Sequence, residues 1–289
     1  MNTNQTILIA GGGIGGLTTA LFLHQAGYDV KVFESVREIR PLGVGINILP
    51  HAVARLYKLG LKDALLATGI QTEQLAFFTR HGARIWSEPR GIAAGYPVPQ
   101  FSIHRGDLQM ILLNAVIDRI GAENVLTGHH LADFEQDDGG VTARFIDRKT
   151  GETVGSYRGA VLIGADGVMS RVREIFYPDE GAPSYSGIFL WRGITESTPF
   201  LGGKTMVMIG HNTIKAVIYP VSKVADENGR SLLNWVADLP VPMKLPPQKE
   251  EWNRQAQNMD FVKNYLDWQY PWLNVYKLFK NTENIYEFP

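Results

Sequence analysis

Cysteine is absent from the 289 residues of this protein. The sequence therefore excludes disulfide bonds, catalysis by a thiolate, and zinc or iron–sulfur sites with cysteine ligands. Carboxylate and histidine residues do not recur at the spacing of metal ligands or of a hydrolytic triad, so we expect no metal. A chain that uses no cysteine fits an enzyme of a reducing compartment, and we expect a cytoplasmic location.

An excess of charge of either sign is also missing. Lysine and arginine number 28 against 29 aspartate and glutamate residues, so no basic field attracts nucleic acid or anionic lipid. No apolar run reaches the roughly 18 residues of a membrane helix, and no secretory signal opens the chain. We therefore expect a globular protein that has neither nucleic acid nor a membrane as its partner, while the oligomeric state stays open.

What the sequence does contain is a glycine cluster near the N-terminus. An apolar run, "ILIA", precedes "GGGIGG", and a helical pattern of apolar residues follows. Gly11, Gly13 and Gly16 make the spacing G-x-G-x-x-G. In a dinucleotide-binding turn the first glycine permits the tight turn, the second lets backbone approach the pyrophosphate, and the third lets helix and strand pack. The helix N-terminus adds free N–H groups and a partial positive charge.

The next strand-like run, "DVKVFE", ends in an acidic residue that narrows the choice of nucleotide. Glu34 lies where a carboxylate accepts hydrogen bonds from a ribose 2′-OH, and it would repel a 2′-phosphate. We therefore predict a Rossmann-like α/β domain that binds NAD or FAD rather than NADP. The alternative is a glycine-rich turn of another α/β protein, with Glu34 merely exposed.

A second strand–turn–helix signal is "VLIGADGVMSRVR". By itself it also fits an ordinary turn, because Asp-Gly is common there. Together with the glycine cluster it resembles the single-component FAD-dependent aromatic hydroxylases, which pair G-x-G-x-x-G with a later "GADG". The resemblance implies that Asp166 binds the flavin side of the cofactor and that Gly167 permits the sharp turn.

Two further stretches carry the resemblance. "SIHRGDLQMILL" is similar to a helix whose first arginine reaches the FAD ribityl and pyrophosphate region; this maps to Arg105, with Gln109 one turn further along. "PLGVGINILP" is similar to a loop that brings backbone close to the isoalloxazine, with Gly43 and Gly45 permitting the approach. A solvated helix start and a plain surface loop are the alternatives. The other cofactor contacts that the resemblance implies are Ile14, Gly15, Ser35 and Leu126.

Within that class, "EIRPLGVGINI", "WSEPRG", "WRGITE" and "GKTM" are similar to the pyocyanin-forming phenazine hydroxylases. The resemblance covers nearly the whole chain and implies a flavoprotein monooxygenase. NADH or NADPH would reduce FAD, O2 would form a C4a-hydroperoxyflavin, and this would hydroxylate an electron-rich aromatic substrate, phenolic or phenazine-like. The flavin carries the chemistry, so the sequence identifies no catalytic residue.

The second part of the chain has a different pattern, with alternating strand segments. We predict an FAD-binding domain over residues 1–180, with an excursion near 75–100 assigned to the other domain, and a sheet-rich substrate-binding domain over 181–289. Trp191, Arg192 and Tyr219 are the candidate substrate residues, because aromatic side chains suit a planar substrate and Arg192 suits a carboxylate. Core packing is the alternative for the aromatic residues, and an internal ion pair is the alternative for Arg192.

One motif of the family is missing. These hydroxylases carry a Gly-Asp before "AAH.M.P", whereas this chain stops at "NIYEFP". We therefore expect an aromatic hydroxylase fold that lacks its usual C-terminal part, in a truncated form of a longer enzyme. Two other interpretations remain: a catalytically incomplete flavin-binding fragment and an NAD-dependent dehydrogenase. The latter would need a catalytic His, Tyr–Lys or Lys after the nucleotide domain, and no such constellation is found.

Overall fold

The structure is a computed structural model that describes residues 6–181, 184–223, 228–241, 254–256 and 258–288. Its helices are α1 (Ile14–Gln25), α2 (Pro50–Lys58), α3 (Lys62–Thr68), α4 (Arg105–Ile120), α5 (Arg171–Phe176) and α6 (Val275–Lys280). Its strands are β1 (Ile7–Ala10), β2 (Val30–Glu34), β3 (Gly45–Ile48), β4 (Ile70–Thr72), β5 (Gln74–Phe78), β6 (Arg84–Pro89), β7 (Gln100–His104), β8 (Val125–Thr127), β9 (His130–Asp137), β10 (Gly140–Ile146), β11 (Thr153–Gly159), β12 (Val161–Gly164), β13 (Ile188–Ser197), β14 (Thr205–Gly210), β15 (Lys215–Pro220), β16 (Ser231–Pro240), β17 (Gln269–Tyr270), β18 (Leu273–Asn274) and β19 (Ile285–Phe288). In the part of the chain described, no helix is both long and apolar enough to cross a membrane.

The chain divides into two compact units. The first consists of Met1–Pro41 and Gly106–Ala182, and the second of Leu42–Arg105 and Pro183–Pro289. The early segment of the second unit is thus longer than the predicted excursion near 75–100. The reason is that β5 pairs with β14 of the later segment, while β3, β4 and β7 form a sheet of their own in the same unit.

The first unit is built on a four-stranded sheet in the order β12-β1-β2-β8, with all neighbours parallel. All four residues of β1 are buried, as expected of a central strand of a parallel sheet with both faces covered. Because β1 and β12 are parallel and adjacent, the turns that follow Ala10 and Gly164 lie at the same edge of the sheet. The fold thereby brings the two sequence motifs together.

A three-stranded antiparallel sheet, β11-β10-β9, completes the core of the first unit. Phe33 of β2 stacks on Phe145 of β10, with 4.1 Å between the ring centroids. The buried members of this cluster are Leu8, Ala10, Phe33, Leu131, Ala143 and Phe145. These contacts fix the end of β2, where Glu34 lies.

The second unit contains a seven-stranded sheet in the order β19-β13-β16-β15-β14-β5-β6. Only the β14–β5 pair is parallel among these neighbours. Successive side chains of a strand point to opposite faces, and one face of this sheet forms the main core around the fully buried Trp235. The strands predicted in "TMVMIG", "KAVIYPVS" and "SLLNWVADL" are present as β14, β15 and β16.

Candidate functional site

The glycine turn between β1 and α1 depends on two glycines for steric reasons. Gly11 has a φ of 113°, and a Cβ built on it would lie 2.2 Å from the carbonyl oxygen of Ala165. A Cβ on Gly16 would lie 1.9 Å from the carbonyl oxygen of Gly11. These two glycines therefore let the first turn of α1 and the "GADG" turn approach the end of β1 closely.

Gly13 and Gly15 have a different environment. A Cβ on either one would meet no atom within 4 Å in this structure. Gly13 is the N-cap of α1, and the first turn of that helix has neither a side-chain cap nor an acidic residue. Free N–H groups at a helix N-terminus next to open space are suited to hold phosphate oxygens.

Glu34 faces the same turn from the end of β2. Its Oε2 accepts a hydrogen bond of 2.8 Å from the backbone N–H of Gly12. Its Oε1 accepts one of 3.0 Å from the Ser35 hydroxyl and another of 3.0 Å from the N–H of Val36. The carboxylate is thus held at the turn by three donors, and its remaining lone pairs can accept from a ribose hydroxyl. Ser35 orients Glu34 in this arrangement.

Two predicted cofactor residues make contacts within the first unit that the sequence did not indicate. Gln109 donates from Nε2 to the carbonyl oxygen of Gly12 at 2.9 Å, so it supports the glycine turn. Leu126 pairs with Phe33 in the parallel sheet and packs against the core cluster of that unit. Gln109 thus positions the glycine turn, and Leu126 positions the end of β2 next to that turn.

Asp166 organises the second turn. Its Oδ1 accepts from the Ser170 hydroxyl at 2.7 Å, and its Oδ2 accepts from the N–H groups of Arg171 at 2.6 Å and Val172 at 3.2 Å. Gly167 has a φ of 82°, which confirms the sharp turn. The carboxylate therefore caps α5 together with Ser170, the N-cap residue.

This capping role gives a testable prediction. We expect Asp166→Ala to lower the free energy of unfolding by about 1–2 kcal/mol, because the substitution leaves the first N–H groups of α5 and the Ser170 hydroxyl without their acceptor. Urea titration followed by circular dichroism measures this. The matched control is Asp138→Ala, which removes an exposed carboxylate from the same unit. Equal stability of the two variants would contradict the capping role.

In the second unit, Arg105 lies beside the predicted glycine loop. Its N–H donates to the carbonyl oxygen of Val44 at 2.9 Å, and its Nη1 lies 3.6 Å from the position of a Cβ on Gly43, whose φ is 114°. The side chain is exposed, and among the described residues no carboxylate forms an ion pair with it. An unpaired guanidinium of this kind can bind a phosphate oxygen.

Gly45 is needed for packing inside the second unit. A Cβ on it would lie 2.7 Å from the Asn234 side chain, and its N–H donates to Asn234 Oδ1 at 2.6 Å. The Nδ2 group of Asn234 is buried and has no hydrogen-bond partner in the described part of the chain. Sequence analysis missed Asn234; the available signal was a single amide inside the apolar strand "SLLNWVADL".

The three candidate substrate residues do not share one face of the seven-stranded sheet. Arg192 lies opposite Val236 and Tyr219 lies opposite Asn234, so all four side chains point to the same face of the sheet. On that face Tyr219 and Asn234 are buried, whereas Arg192 and Val236 are half-buried. Trp191 points the other way into the core and stacks on Phe261, with 4.4 Å between ring centroids. We therefore remove Trp191 from the candidate substrate residues. The physical reason is that Trp191 and Arg192 are consecutive in β13, and consecutive side chains of a strand point to opposite faces of the sheet.

A buried polar network lies next to Tyr219. Burial raises the pKa of the Tyr219 phenol, which keeps it neutral, and a hydrogen bond with Asn47 opposes this shift. Asn47 Oδ1 accepts from the Ser102 hydroxyl at 2.7 Å, and that hydroxyl lies 2.6 Å from Thr72 Oγ1. Gln100 Oε1 is buried without a partner among the described residues. The sequence signals for this network were polar residues inside strands β3, β4 and β7.

No group of three or more histidine, aspartate or glutamate side chains within the described ranges is arranged to hold a metal ion.

The first unit is a dinucleotide-binding α/β domain. The features that define it are the parallel sheet, the glycine turn, Glu34 and the capped "GADG" turn. The match to a family model specifies the class further. Residues 4–281 match the model of the FAD binding domain, and the chain belongs to that family. FAD is thus the cofactor, as the sequence motifs predicted.

The relatives agree with this assignment. The chain is 43% identical over 289 residues to phenazine 1,6-dicarboxylic acid hydroxylase of Lysobacter antibioticus, covering 99% of this chain and 71% of that protein. It is 34% identical to 3-hydroxybenzoate 6-hydroxylase of Polaromonas naphthalenivorans, covering 67% of this chain and 47% of the relative. The crystal structure of Klebsiella pneumoniae HpxO with FAD and uric acid superposes with a TM-score of 0.76 at 24% identity, covering 98% and 67% of the two chains. The predicted class, an FAD-dependent hydroxylase with the corresponding fold, is confirmed.

Proposed function

We propose that this protein is a flavin-dependent monooxygenase that hydroxylates an electron-rich aromatic substrate with NADH or NADPH and O2. The observation that carries the proposal is the 43% identity to a phenazine hydroxylase along 99% of the chain. The chain covers 71% of that relative and 47% of the hydroxybenzoate hydroxylase, so the activity of the whole enzyme is proposed here for this chain.

The residues of the first unit fit the ADP part of FAD. The open space at Gly13 and Gly15 and the uncapped N-terminus of α1 would hold the pyrophosphate. Glu34, fixed by three hydrogen bonds, would accept from the adenosine ribose. When bound, FAD supplies the transfer of an oxygen atom from O2 to the substrate ring.

The half-buried face of the seven-stranded sheet is the proposed substrate surface. The side chains next to Arg192 and Tyr219 on that face are the apolar Ile194, Val217 and Val236 and the polar Asn234 and Asp238. An apolar surface with a few fixed polar groups is the usual composition of a small-molecule site. Its role would be to exclude water and to orient the ring.

We expect the purified chain to be yellow, with flavin absorbance in the visible, and to oxidise NADH or NADPH faster when an aromatic substrate is added. Absorbance spectra, nucleotide oxidation and product analysis test this. Bound flavin without oxidation stimulated by substrate would support a catalytically incomplete flavin-binding fragment instead. A colourless protein whose unfolding temperature rises with NAD but not with FAD would contradict the proposal and favour a dehydrogenase. The cytoplasmic location remains a prediction.

A further inference from the structure

We infer that Asn47 is a positioning residue that holds the hydroxyl of Tyr219 as a hydrogen-bond donor, so that the substrate group bound next to Tyr219 must be a hydrogen-bond acceptor. This inference rests on the proposed hydroxylase function, because the face that carries Tyr219 is the proposed substrate surface. It adds a residue that the sequence motifs did not indicate and the polarity of the substrate group. Both follow from the direction of each hydrogen bond in a chain of polar side chains within the second unit.

This chain begins with two hydroxyl groups in the sheet formed by β3, β7 and β4. Ser102 of β7 is opposite Asn47 of β3, and its hydroxyl donates to Asn47 Oδ1 at 2.7 Å. A hydroxyl has one proton, so the oxygen of Ser102 can only accept from Thr72 Oγ1, which lies 2.6 Å away. Ser102 and Thr72 are both buried, so water does not compete for these bonds. The hydrogen bonds therefore run in one direction, from Thr72 through Ser102 to Asn47.

The side-chain amide of Asn47 passes this direction on to Tyr219. Its Oδ1 also accepts from Gln100 Nε2 at 3.4 Å, so the oxygen end of the amide is used within this sheet. The hydrogen bond with Tyr219 then comes from Nδ2, and an amide nitrogen can only donate, so the phenol oxygen accepts. The pKa of Tyr219 is raised by burial, whereas Arg192 and the bond from Asn47 lower it, as expected of a donor at the phenol oxygen. The net effect leaves Tyr219 neutral, with its own proton available for another partner.

In the described part of the chain, no hydrogen bond takes that proton. Asn234 lies opposite Tyr219; its Oδ1 already accepts a backbone N–H at 2.6 Å, and its buried Nδ2 is an unused donor. Arg192, which interacts with Tyr219 electrostatically, also has only donors. The carboxylate of Asp238 on the same face accepts from the N–H of Lys215 at 2.9 Å and lies 3.1 Å from its Nζ. The described groups next to the phenol therefore offer donors.

This polarity selects the chemistry of the substrate group. A carbonyl or phenolate oxygen accepts the phenol proton, whereas a group that only donates, such as a ring N–H, leaves two donors facing each other. A buried donor without an acceptor is unfavourable, so the second arrangement is penalised. Each hydrogen bond of a chain polarises the next one, which strengthens the donor at its end. Asn47 thus acts on the substrate through Tyr219.

The test compares two bicyclic ring compounds of opposite polarity. The carbonyl of 1-indanone only accepts, and the N–H of indole only donates. In calorimetric titrations the wild type should bind 1-indanone about 3- to 10-fold more tightly than indole. Asn47→Asp replaces the amide nitrogen by an oxygen that takes the phenol proton, so this variant should lose the preference, as should Tyr219→Phe. Asn114→Asp adds the same charge at an exposed position of α4 and should behave like the wild type.

A spectroscopic measurement determines the direction of the bond without a ligand. The intensity ratio of the tyrosine Fermi doublet in the Raman spectrum differs between a phenol that accepts a hydrogen bond and one that only donates. Subtracting the spectrum of the same protein with Tyr219→Phe isolates this residue from the other tyrosines. We expect the Tyr219 phenol to accept in the wild type and in Asn114→Asp, and to donate in Asn47→Asp.

The outcomes separate this inference from the proposed function. Equal affinities of the wild type for the two compounds, no binding of 1-indanone, or the same Fermi doublet in the wild type and Asn47→Asp would overturn the role of Asn47. Weaker binding of both compounds by the same factor in Asn47→Asp would overturn it too, because a purely structural residue has that effect. Flavin content and nucleotide oxidation are measured on the same samples.

The two possible failures give different results. If flavin binds and an aromatic compound is hydroxylated while 1-indanone and indole bind equally, the monooxygenase function stands and the inference fails. If the preference for 1-indanone is present and depends on Asn47, but neither flavin nor nucleotide oxidation is found, the proposed function fails instead.

Discussion

Gly16→Ala is expected to lower the free energy of unfolding of this protein by about 3 kcal/mol. The added Cβ would lie 1.9 Å from the carbonyl oxygen of Gly11, a backbone atom held by the close packing of β1 and α1. Alanine favours a helix over glycine by about 1 kcal/mol, but the overlap outweighs this gain. For a chain of this size the expected fall in unfolding temperature is about 6–12 °C. Differential scanning fluorimetry on the flavin-free protein measures it.

The matched control for this substitution is Gly15→Ala, one residue earlier in the same helix. A Cβ at that position meets nothing within 4 Å, so only the higher helix propensity of alanine acts. The flavin-free Gly15→Ala protein should therefore unfold at the same temperature as the wild type or slightly above it. If both variants unfold at the same temperature, Gly16 is not required for the packing of α1 against β1.

Gly13→Ala is expected to weaken FAD binding by about 30-fold or more while the flavin-free protein keeps its stability within about 1 kcal/mol. Gly13 has φ −76° and ψ −178°, values that alanine adopts without strain, and its Cβ would project into open space. In the proposed complex the pyrophosphate occupies that space, so the methyl group of alanine would overlap with it. Titration of the flavin-free protein with FAD, followed by flavin fluorescence, gives the dissociation constant.

Gln25→Ala, at the opposite end of α1, serves as the control for flavin binding. It changes the same helix far from the glycine turn and should leave the dissociation constant of FAD unchanged. A Gly13→Ala protein that binds FAD like the wild type would show that the pyrophosphate does not lie at this turn. A large loss of stability without flavin would show that Gly13 is instead needed for folding.

The local features of the candidate site could be predicted from short stretches of sequence. The glycine turn, Glu34 and the "GADG" turn each lie where a strand ends and a helix or loop begins, and the strands themselves were recognisable from their apolar runs. Side-chain partners far apart in sequence could not be predicted in this way. Gln109 donates to Gly12 across 97 positions, and Gly45 donates to Asn234 across 189. Such pairs depend on which strands are neighbours, and no local pattern contains that information.

The prediction of Trp191 as a substrate residue shows that local sequence patterns have the same limit inside a single strand. The stretch "LWRG" indicates that Trp191 and Arg192 point to opposite faces, because side chains alternate along a strand. It does not indicate which face is covered by the core. The structure decides this through Phe261 and Trp235, which come from other segments and pack on the side of Trp191.

The sequence by itself determined the nucleotide turn and the family, because both depend on glycines, a carboxylate and a helix start that lie close together along the chain. Only the tertiary structure decided which side chains lie on the proposed substrate surface. The packing of the core on one face of the seven-stranded sheet leaves Arg192 on the other face, where its buried Nε has no partner among the described residues. This buried, unpartnered Nε atom is a property of the assembled sheet, because it arises from the burial that neighbouring strands provide.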